Sequence, residues 1–293
     1  MTPKFLMTAV ILSFNCVILM VKFGYFQFYG PHQTLTRLLP QLNASSSPRI
    51  GKCTILYNRD SASYDKALRK HADHCNLHGY AFHLLHHTML DDVWTKPAYV
   101  LSLLLSELEK PADDRLEWLM WVDADTVVMN TLVPLSIFLP PAEEEEINFL
   151  VTSDFNGLNN GVFFTRVSVL SVELFSAIVS YRYYYPHEDL IFRDQSAMGK
   201  ILNEPEFSSK TKFVPQHWFN AYSTPTPEHS NDDGKIRYGG FLVHFAGTDN
   251  RENKMEQWLA RADEESEQWM LPMNNTFYED EIPRFWTSQQ SYV

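Results

Sequence analysis

The stretch Trp118-Leu119-Met120-Trp121-Val122-Asp123-Ala124-Asp125 decides the fold. Its first five residues form a continuous apolar run, which is typical of a strand buried on both faces of a parallel sheet. The run ends in two acids at the carboxyl end of the predicted strand, where ligands bind in open α/β sheets. If the strand geometry persists beyond Val122, both carboxylates point the same way. The stretch therefore predicts a strand that presents two carboxylates to one ligand.

A divalent cation is the ligand that Asp123 and Asp125 suit best. Carboxylate oxygens bind Mg²⁺ or Mn²⁺, and the oxygens of a diphosphate can fill the remaining positions around such an ion. The Asp-x-Asp pattern is short enough to occur by chance, so a turn or a helix cap is the alternative role.

Strand and helix patterns alternate on both sides of this stretch. We predict further strands over 52–57, 80–85, 148–153, 161–166, 213–214 and 241–245. We predict helices from Tyr64 to Cys75 with Gly79 as C-cap, from Thr95 to Leu108, from Leu170 to Val179 and, as the last element, from Met255 to Ala262. This alternation indicates an α/β fold with a Rossmann-like sheet, in one continuous domain from about residue 50.

The chain begins with an apolar run, Phe5–Val21, between Lys4 and Lys22. Seventeen residues suffice to span a thin bilayer, and no small-residue cleavage site follows them, which favours an uncleaved signal anchor. We therefore predict a cytoplasmic tail (1–4), a transmembrane signal anchor (5–22), a Ser/Pro-containing stem (23–49) and a lumenal domain (50–293).

Composition excludes one class of partner. The 293 residues carry 36 acidic and 24 basic side chains, for a formal net charge of −12. Such a chain repels a phosphate backbone, so we expect no nucleic acid partner. A small polyanion remains compatible if a metal ion or a few local cations accompany it.

Cysteines and sequons bear on the compartment. Cys53 and Cys75 follow the anchor, and either a lumenal disulfide or two free buried thiols fits them. The sequons at Asn43 and Asn274 agree with a lumenal address.

Six segments together resemble a known family. They are Tyr64…His78-Gly79-Tyr80, Trp94-Thr95-Lys96-Pro97, Trp118…Asp123-Ala124-Asp125, Leu158-Asn159-Asn160-Gly161-Val162-Phe163-Phe164-Thr165-Arg166, Asp194-Gln195-Ser196-Ala197-Met198 and His244-Phe245-Ala246-Gly247. Their order over roughly residues 52–250 resembles the fungal Golgi galactosyl- and mannosyltransferase family (GMA12/MNN10-type), which also contains plant xyloglucan xylosyltransferases.

The resemblance implies a GT-A fold and a retaining glycosyltransferase that moves a hexose, galactose or mannose, from a UDP- or GDP-sugar to a glycan or glycoprotein acceptor. It also implies dependence on Mn²⁺, with Mg²⁺ as the alternative, and a type II Golgi membrane protein that can take part in a transferase complex.

Site residues follow position by position. The resemblance implies metal ligation by Asp123, Asp125 and His244, donor binding by Lys96, Asp123, Asn159, Gly161 and Gly247, and catalysis by Asp194 and Gln195. Each has a plainer alternative: an ordinary buried histidine for His244, a helix cap for Asp194 and a solvated lysine for Lys96.

Two departures from the family pattern concern the donor. A second acid that precedes Asp194 in some relatives is Arg193 here, which leaves the sugar identity open. After Gly247 the family often has Cys and then Lys, whereas here Arg251 or Lys254 is the candidate phosphate contact.

Other clusters and functions compete. His71, His74 and His78 have helical spacing, and a zinc site or ordinary packing explains them. Two aromatic groups either stack on acceptor sugars or pack in the core: Tyr181, Tyr183, Tyr184 and Tyr185, and Trp218, Phe219 and Tyr222. The alternative functions are a metal-dependent phosphoesterase and a non-catalytic glycan-binding or assembly subunit.

Overall fold

A computed structural model describes residues 48–223 and 234–290, which lie within one compact unit, Ser46–Val293. The predicted tail and anchor and almost all of the predicted stem lie outside the described residues. Among the helices of the described ranges, none is both long and apolar enough to cross a membrane.

Two sheets organise the described residues. Their strands are β1 (Ile50–Ile55), β2 (Ala81–Leu85), β3 (Trp118–Val122), β4 (Thr126–Val128), β5 (Phe149–Asp154), β6 (Gly157–Arg166), β7 (Thr211–Phe213), β8 (Ala221–Tyr222) and β9 (Leu242–His244). The larger sheet has the order β2-β1-β3-β6-β5-β7, and the smaller has the order β4-β9-β8. All the strands predicted from the sequence are present, with shifts of a few residues at their ends.

The larger sheet is mixed. Strand β1 pairs in parallel with both β2 and β3, as the alternation of strands and helices predicts. Strand β6 then pairs antiparallel with both β3 and β5. The parallel, Rossmann-like part therefore ends at β3, at the strand that carries the two acids.

The helices are α1 (Ala62–His78), α2 (Thr95–Leu108), α3 (Val169–Tyr184), α4 (Asp194–Leu202), α5 (Pro205–Ser208), α6 (Arg251–Glu264), α7 (Ser266–Trp269) and α8 (Tyr278–Gln290). The four predicted helices are confirmed as α1, α2, α3 and α6, and Gly79 ends α1 with a left-handed φ of 72°. The prediction that the 255–262 helix is the last element was wrong, because α8 follows it. Pro283 inside α8 obscures a four-residue spacing of Tyr278, Ile282 and Trp286.

Strand β3 is the centre of the core. All five of its residues are at most 3% exposed. Met120 and Val122 pack in one apolar cluster, whereas Leu119 and Trp121 pack in another on the opposite face. The predicted burial on both faces is thereby confirmed. Cys53 and Cys75 are both buried and free, so the disulfide alternative is not realised.

Tyr278 fastens α8 to the core. Its hydroxyl donates to the Trp218 carbonyl oxygen over 2.7 Å and accepts from the Phe241 N–H over 2.9 Å. The Tyr278 side chain is 1% exposed, so both backbone groups are satisfied away from water.

We expect Tyr278→Phe to destabilise the fold by about 1–3 kcal/mol, because it leaves a buried N–H and a buried carbonyl without their partner. The measurement is the free energy of urea unfolding. The control is Tyr184→Phe, whose side chain is 61% exposed and whose effect should stay within about 0.5 kcal/mol. Equal unfolding free energies for the two variants would contradict the assigned role of Tyr278.

Candidate active site

The two acids lie on the turn that joins β3 to β4. The Asp123 N–H donates to the Gly161 carbonyl over 2.7 Å, and Trp121 Nε1 donates to Asp123 Oδ1 over 2.7 Å. The Phe245 N–H donates to the Asp125 carbonyl over 3.0 Å. The expectation that strand geometry persists through these residues was wrong: a turn, held by β6 and by the end of β9, brings the carboxylates together.

His244 joins these acids from β9. Ligand atoms of Asp123, Asp125 and His244 all lie within 4.8 Å of one another. Thr126 of β4 pairs with His244 across the small sheet, so the third side chain is brought in by strand register. His244 Nε2 lies 3.4 Å from Asp125 Oδ1.

Asn220 fixes the orientation of this imidazole. Its Oδ1 lies 2.7 Å from His244 Nδ1, while its amide nitrogen donates to Thr152 Oγ1 over 2.7 Å and to Asn159 Oδ1 over 3.0 Å. Because the amide nitrogen is thus engaged, Oδ1 must accept a hydrogen bond from the Nδ1–H of His244. With Nδ1 held in this way, Nε2 is the ring nitrogen that faces the acids and would offer its lone pair to an ion bound there.

The donor set fits a divalent metal. Carboxylate oxygens with one imidazole nitrogen suit Mn²⁺ and also accommodate Mg²⁺. The backbone is adapted to the set as well, because a Cβ at Gly161 would overlap the His244 ring. The glycine is therefore required for the close approach of the imidazole to β6. Within residues 48–223 and 234–290, this is the one group of His, Cys, Asp and Glu side chains that could hold an ion.

Two cations balance the acids. Arg251 Nη1 lies 3.0 Å from Asp125 Oδ2, and Lys96 Nζ lies 3.1 Å from Asp123 Oδ1. Burial opposes ionisation of Asp125, but its contacts with His244 and Arg251 hold the pKa of its carboxyl below the ordinary value. The site therefore keeps its negative charge at neutral pH.

Lys96 is a hub of the site. Its side chain is 14% exposed. The ammonium donates to the Asn160 carbonyl oxygen over 3.2 Å and to Asn160 Oδ1 over 3.1 Å. The same Nζ lies 3.7 Å from Asp194 Oδ2. Burial lowers the pKa of Lys96, but the carboxylates of Asp123 and Asp194 more than offset this and raise it. The alternative of a solvated lysine was wrong.

Asp194 and Gln195 open α4 beside Lys96. Asp194 Oδ2 accepts from Asn160 Nδ2 over 2.9 Å, and Gln195 Oε1 accepts from the Asn160 N–H over 3.1 Å. The helix begins at Asp194 itself, one residue earlier than the capping alternative assumes, with Arg193 in the N-cap position. Burial raises the pKa of the Asp194 carboxyl, against the lowering effect of Lys96.

The remaining predicted donor contacts have distinct surroundings. Asn159 is 4% exposed, and its Nδ2 lies 2.8 Å from Asp154 Oδ2 and 2.7 Å from the Tyr222 hydroxyl. Gly247 is exposed on the loop after β9 with a left-handed φ of 60°. Arg193 forms an ion pair with Asp92.

A cleft of about 240 Å³ opens beside these groups. Asp92, Lys96, Trp121 and Asp123 line it, together with Ile55, Tyr57, Val93, Thr95 and Ala124. The Arg193–Asp92 ion pair therefore lies at its edge. The chain thus brings Lys96 and Asp123, one member of the candidate metal-binding group, to one concave surface at the carboxyl ends of β1 and β3.

Other sequence hypotheses have a different outcome. Trp218 and Phe219 are fully buried core residues, so the packing alternative holds for them, whereas Tyr183, Tyr184 and Tyr185 are exposed. The zinc alternative for the α1 histidines was wrong, because His71 and His74 direct their Nδ1 atoms at the ammonium of Lys52.

Asn220 is the site residue that sequence reasoning missed. It belongs to no motif, and it reaches His244 because the chain before β8 passes over β5 and β6. An asparagine at the start of a short strand carries no signal that distinguishes it from a turn residue.

Part of the chain is similar to a known protein family. The model of the galactosyl transferase GMA12/MNN10 family matches residues 141–255. That range includes Asn159, Gly161, Asp194 and His244 but begins after the two acids of the β3–β4 turn.

Two relatives from Schizosaccharomyces pombe extend the match. An uncharacterised α-1,2-galactosyltransferase is 24% identical over 61% of this chain and 55% of its own length. An α-1,2-galactosyltransferase is 24% identical over 67% of this chain and 59% of its own length. The matched chain therefore spans less than two thirds of either relative.

The fold has a solved counterpart. A glycosyltransferase involved in the glycosylation of the major capsid of PBCV-1 superposes with a TM-score of 0.55, at 20% identity, over 72% of this chain and 100% of its own. This likeness concerns the fold alone, and it confirms the predicted α/β core of GT-A type. The chain is therefore similar in sequence to the galactosyl transferase GMA12/MNN10 family over residues 141–255, and its fold is similar to that of a solved glycosyltransferase.

Proposed function

We propose that this protein is a metal-dependent, retaining glycosyltransferase that moves a hexose from a nucleotide-diphosphate sugar to a glycan. Galactose is the favoured hexose, because the relatives from S. pombe carry the name α-1,2-galactosyltransferase; mannose is the alternative. A UDP- or GDP-sugar is the donor, and Mn²⁺ is the favoured ion, with Mg²⁺ as the alternative.

One observation carries the proposal. Asp123, Asp125 and His244 converge within 4.8 Å beside a cleft that Lys96 also lines. A diphosphate needs positive charge to bind and to leave, and a divalent ion held by three protein ligands retains open positions for phosphate oxygens. Asp123, Asp125 and His244 would hold this ion, which supplies charge that stabilises the departing diphosphate.

The chain's own side chains contribute the rest. Arg251 extends from the first turn of α6 towards Asp125, where a planar guanidinium can contact a diphosphate. Its Nε is buried and has no hydrogen-bond partner among the described residues. Lys254 is exposed on the same helix, so Arg251 is the better candidate for the phosphate contact.

Asp194 is placed to stabilise positive charge at the sugar. Asn160 and Lys96 hold its carboxylate near Asp123, where it can offset the charge that develops at the anomeric carbon as the diphosphate leaves. Retention then follows if the acceptor oxygen bonds to that carbon from the face the diphosphate vacates. The acceptor proton passes to the leaving phosphate oxygen.

The competing functions have less support. A two-metal phosphoesterase needs further carboxylate or histidine ligands for a second ion, and the described residues hold one such group. A non-catalytic subunit has no need of a buried, charge-balanced set of Asp123, Asp125, His244, Lys96 and Asp194.

We further propose that residues 5–22 anchor the protein as a type II Golgi membrane protein, with the domain from about residue 50 in the lumen. The support is the apolar run Phe5–Val21, followed by a stem rich in serine and proline. A transferase complex is compatible with this placement.

Replacement of Asp125 by Asn should weaken Mn²⁺ binding more than about tenfold, because the amide keeps the shape of the side chain but removes its charge. Loss of a residue that only supports a ligand already costs about tenfold or more. Electron paramagnetic resonance titration of free Mn²⁺ measures this. Asp249→Asn makes the same chemical change at an exposed position on the loop after β9 and should bind Mn²⁺ like the wild type. Wild-type Mn²⁺ affinity in Asp125→Asn would refute the metal site.

Arg251→Gln should lower the affinity for UDP and GDP in the presence of Mn²⁺ by about tenfold to a hundredfold, the value of one or two charge-assisted hydrogen bonds. Lys254→Gln removes the same charge one turn later and should leave the affinity unchanged. Isothermal titration calorimetry with each nucleotide decides between them. If Lys254→Gln weakens binding as much as Arg251→Gln, a general field effect replaces the proposed contact.

Alkaline carbonate treatment of membranes should leave the full-length protein in the pellet, because carbonate releases peripheral proteins but not spanning ones. A variant that starts at residue 46, where the compact unit begins, should appear in the supernatant. Release of the full-length protein would contradict the anchor.

A further inference from the structure

A fully buried lysine lies behind the metal-binding turn. Lys52 of β1 is 0% exposed, and its Nζ lies 3.3 Å from His71 Nδ1 and 3.0 Å from His74 Nδ1, both on α1. The Phe241 ring centroid lies 5.3 Å from the same ammonium. A buried amine is tolerated when its N–H groups find acceptors, and two imidazoles and an aromatic face provide them.

The direction of each hydrogen bond is determined by the partners. His74 Nε2 lies 2.9 Å from the Val133 carbonyl oxygen, so it must donate, and His74 Nδ1 accepts from Lys52. His71 Nε2 lies 2.9 Å from Thr126 Oγ1. Burial, aided by the charge of Lys52, lowers the pKa of both histidines, which keeps the imidazoles neutral.

Thr126 connects these hydrogen bonds to the candidate metal site. Its hydroxyl donates to the Asp123 carbonyl oxygen over 2.7 Å, so its oxygen accepts from His71 Nε2. Thr126 follows Asp125 directly and pairs with His244 across the small sheet. Thr126 therefore contacts all three candidate ligands through the backbone: it is hydrogen-bonded to the Asp123 carbonyl, follows Asp125 in sequence and pairs with His244 in the sheet.

We propose that His71, acting through Thr126, is a positioning residue that holds the Asp123–Asp125 turn in its metal-binding geometry. Lys52 fixes the orientation of His71 by donating a hydrogen bond to its Nδ1. This inference rests on the proposed metal site. The turn has no regular ladder of its own, because the acids lie between β3 and β4. Its shape therefore depends on the bonds that reach it from α1, β6 and β9.

His74 provides a matched control. It is buried like His71, lies on the same helix and accepts from the same ammonium, but its other nitrogen bonds to Val133, away from the acids. A merely structural cluster predicts equal effects of the two histidines on every property. The positioning role predicts equal effects on stability and unequal effects on metal binding.

The test compares Mn²⁺ dissociation constants, measured by electron paramagnetic resonance on the purified full chain, with stability from urea unfolding. We expect Thr126→Val, which keeps the branched shape but removes the hydroxyl, to weaken Mn²⁺ binding about tenfold to a hundredfold. Thr126→Ser, which keeps the hydroxyl, should restore the affinity to within about threefold of the wild type. His71→Leu should weaken Mn²⁺ binding like Thr126→Val, and His74→Leu should not.

The outcomes separate this inference from the proposed function. If Asp125→Asn loses Mn²⁺ but Thr126→Val binds it like the wild type, the metal site stands and the positioning role is overturned. Equal losses of affinity in His71→Leu and His74→Leu also overturn it. If the wild type itself binds no Mn²⁺, the proposed function fails and this inference falls with it. Should the histidine variants not fold, the Thr126 pair alone decides.

Discussion

The convergence of three carboxylates at one end of the central sheet is the constraint on which the site depends. Asp123, Asp125 and Asp194 meet in a chain that already has a net charge of −12, and their mutual repulsion would open the turn without nearby cations. Lys96 lies between Asp123 and Asp194, and Arg251 pairs with Asp125. These cations therefore balance the charge of the three carboxylates. Under the proposed function, a divalent ion would add positive charge to the site and its diphosphate would add negative charge.

Much of this arrangement is visible in the sequence because it is local. The apolar run Trp118–Val122 identifies the central strand by itself, and the acids that follow it are placed by chain continuity. Helical periodicity locates α1, α2, α3 and α6 for the same reason. The family resemblance assigns His244, and its position at the end of an apolar strand before Ala246-Gly247 agrees with that assignment.

What the sequence could not provide depends on contacts between distant segments. Nothing near Asn220 indicates that it orients His244, and nothing near Lys52 indicates that the α1 histidines surround an ammonium rather than a metal. The antiparallel pairing of β6 with β3 sets Gly161 against the acid turn, and such pairings are not encoded by periodicity. The sequence offers the turn only as an alternative to a continued strand, because an extended strand and a tight turn can both bring the side chains of residues two apart to one side.

Arg193 shows how one substitution changes a site without touching the metal ligands. Where the family resemblance suggests a second acid before Asp194, this chain has Arg193, which pairs with Asp92 at the edge of the cleft. Arg193 has a φ of 50°, a left-handed value that non-glycine residues seldom adopt. The carboxylate that follows Arg193 is Asp194, which Asn160 and Lys96 hold in place and which we propose acts at the sugar. A single fixed carboxylate can stabilise positive charge at the anomeric carbon. It cannot by itself divide the roles of acid and base, as a pair of carboxyl groups does. Under the proposed function, the residue before Asp194 is the position at which a preference among hexoses should be sought.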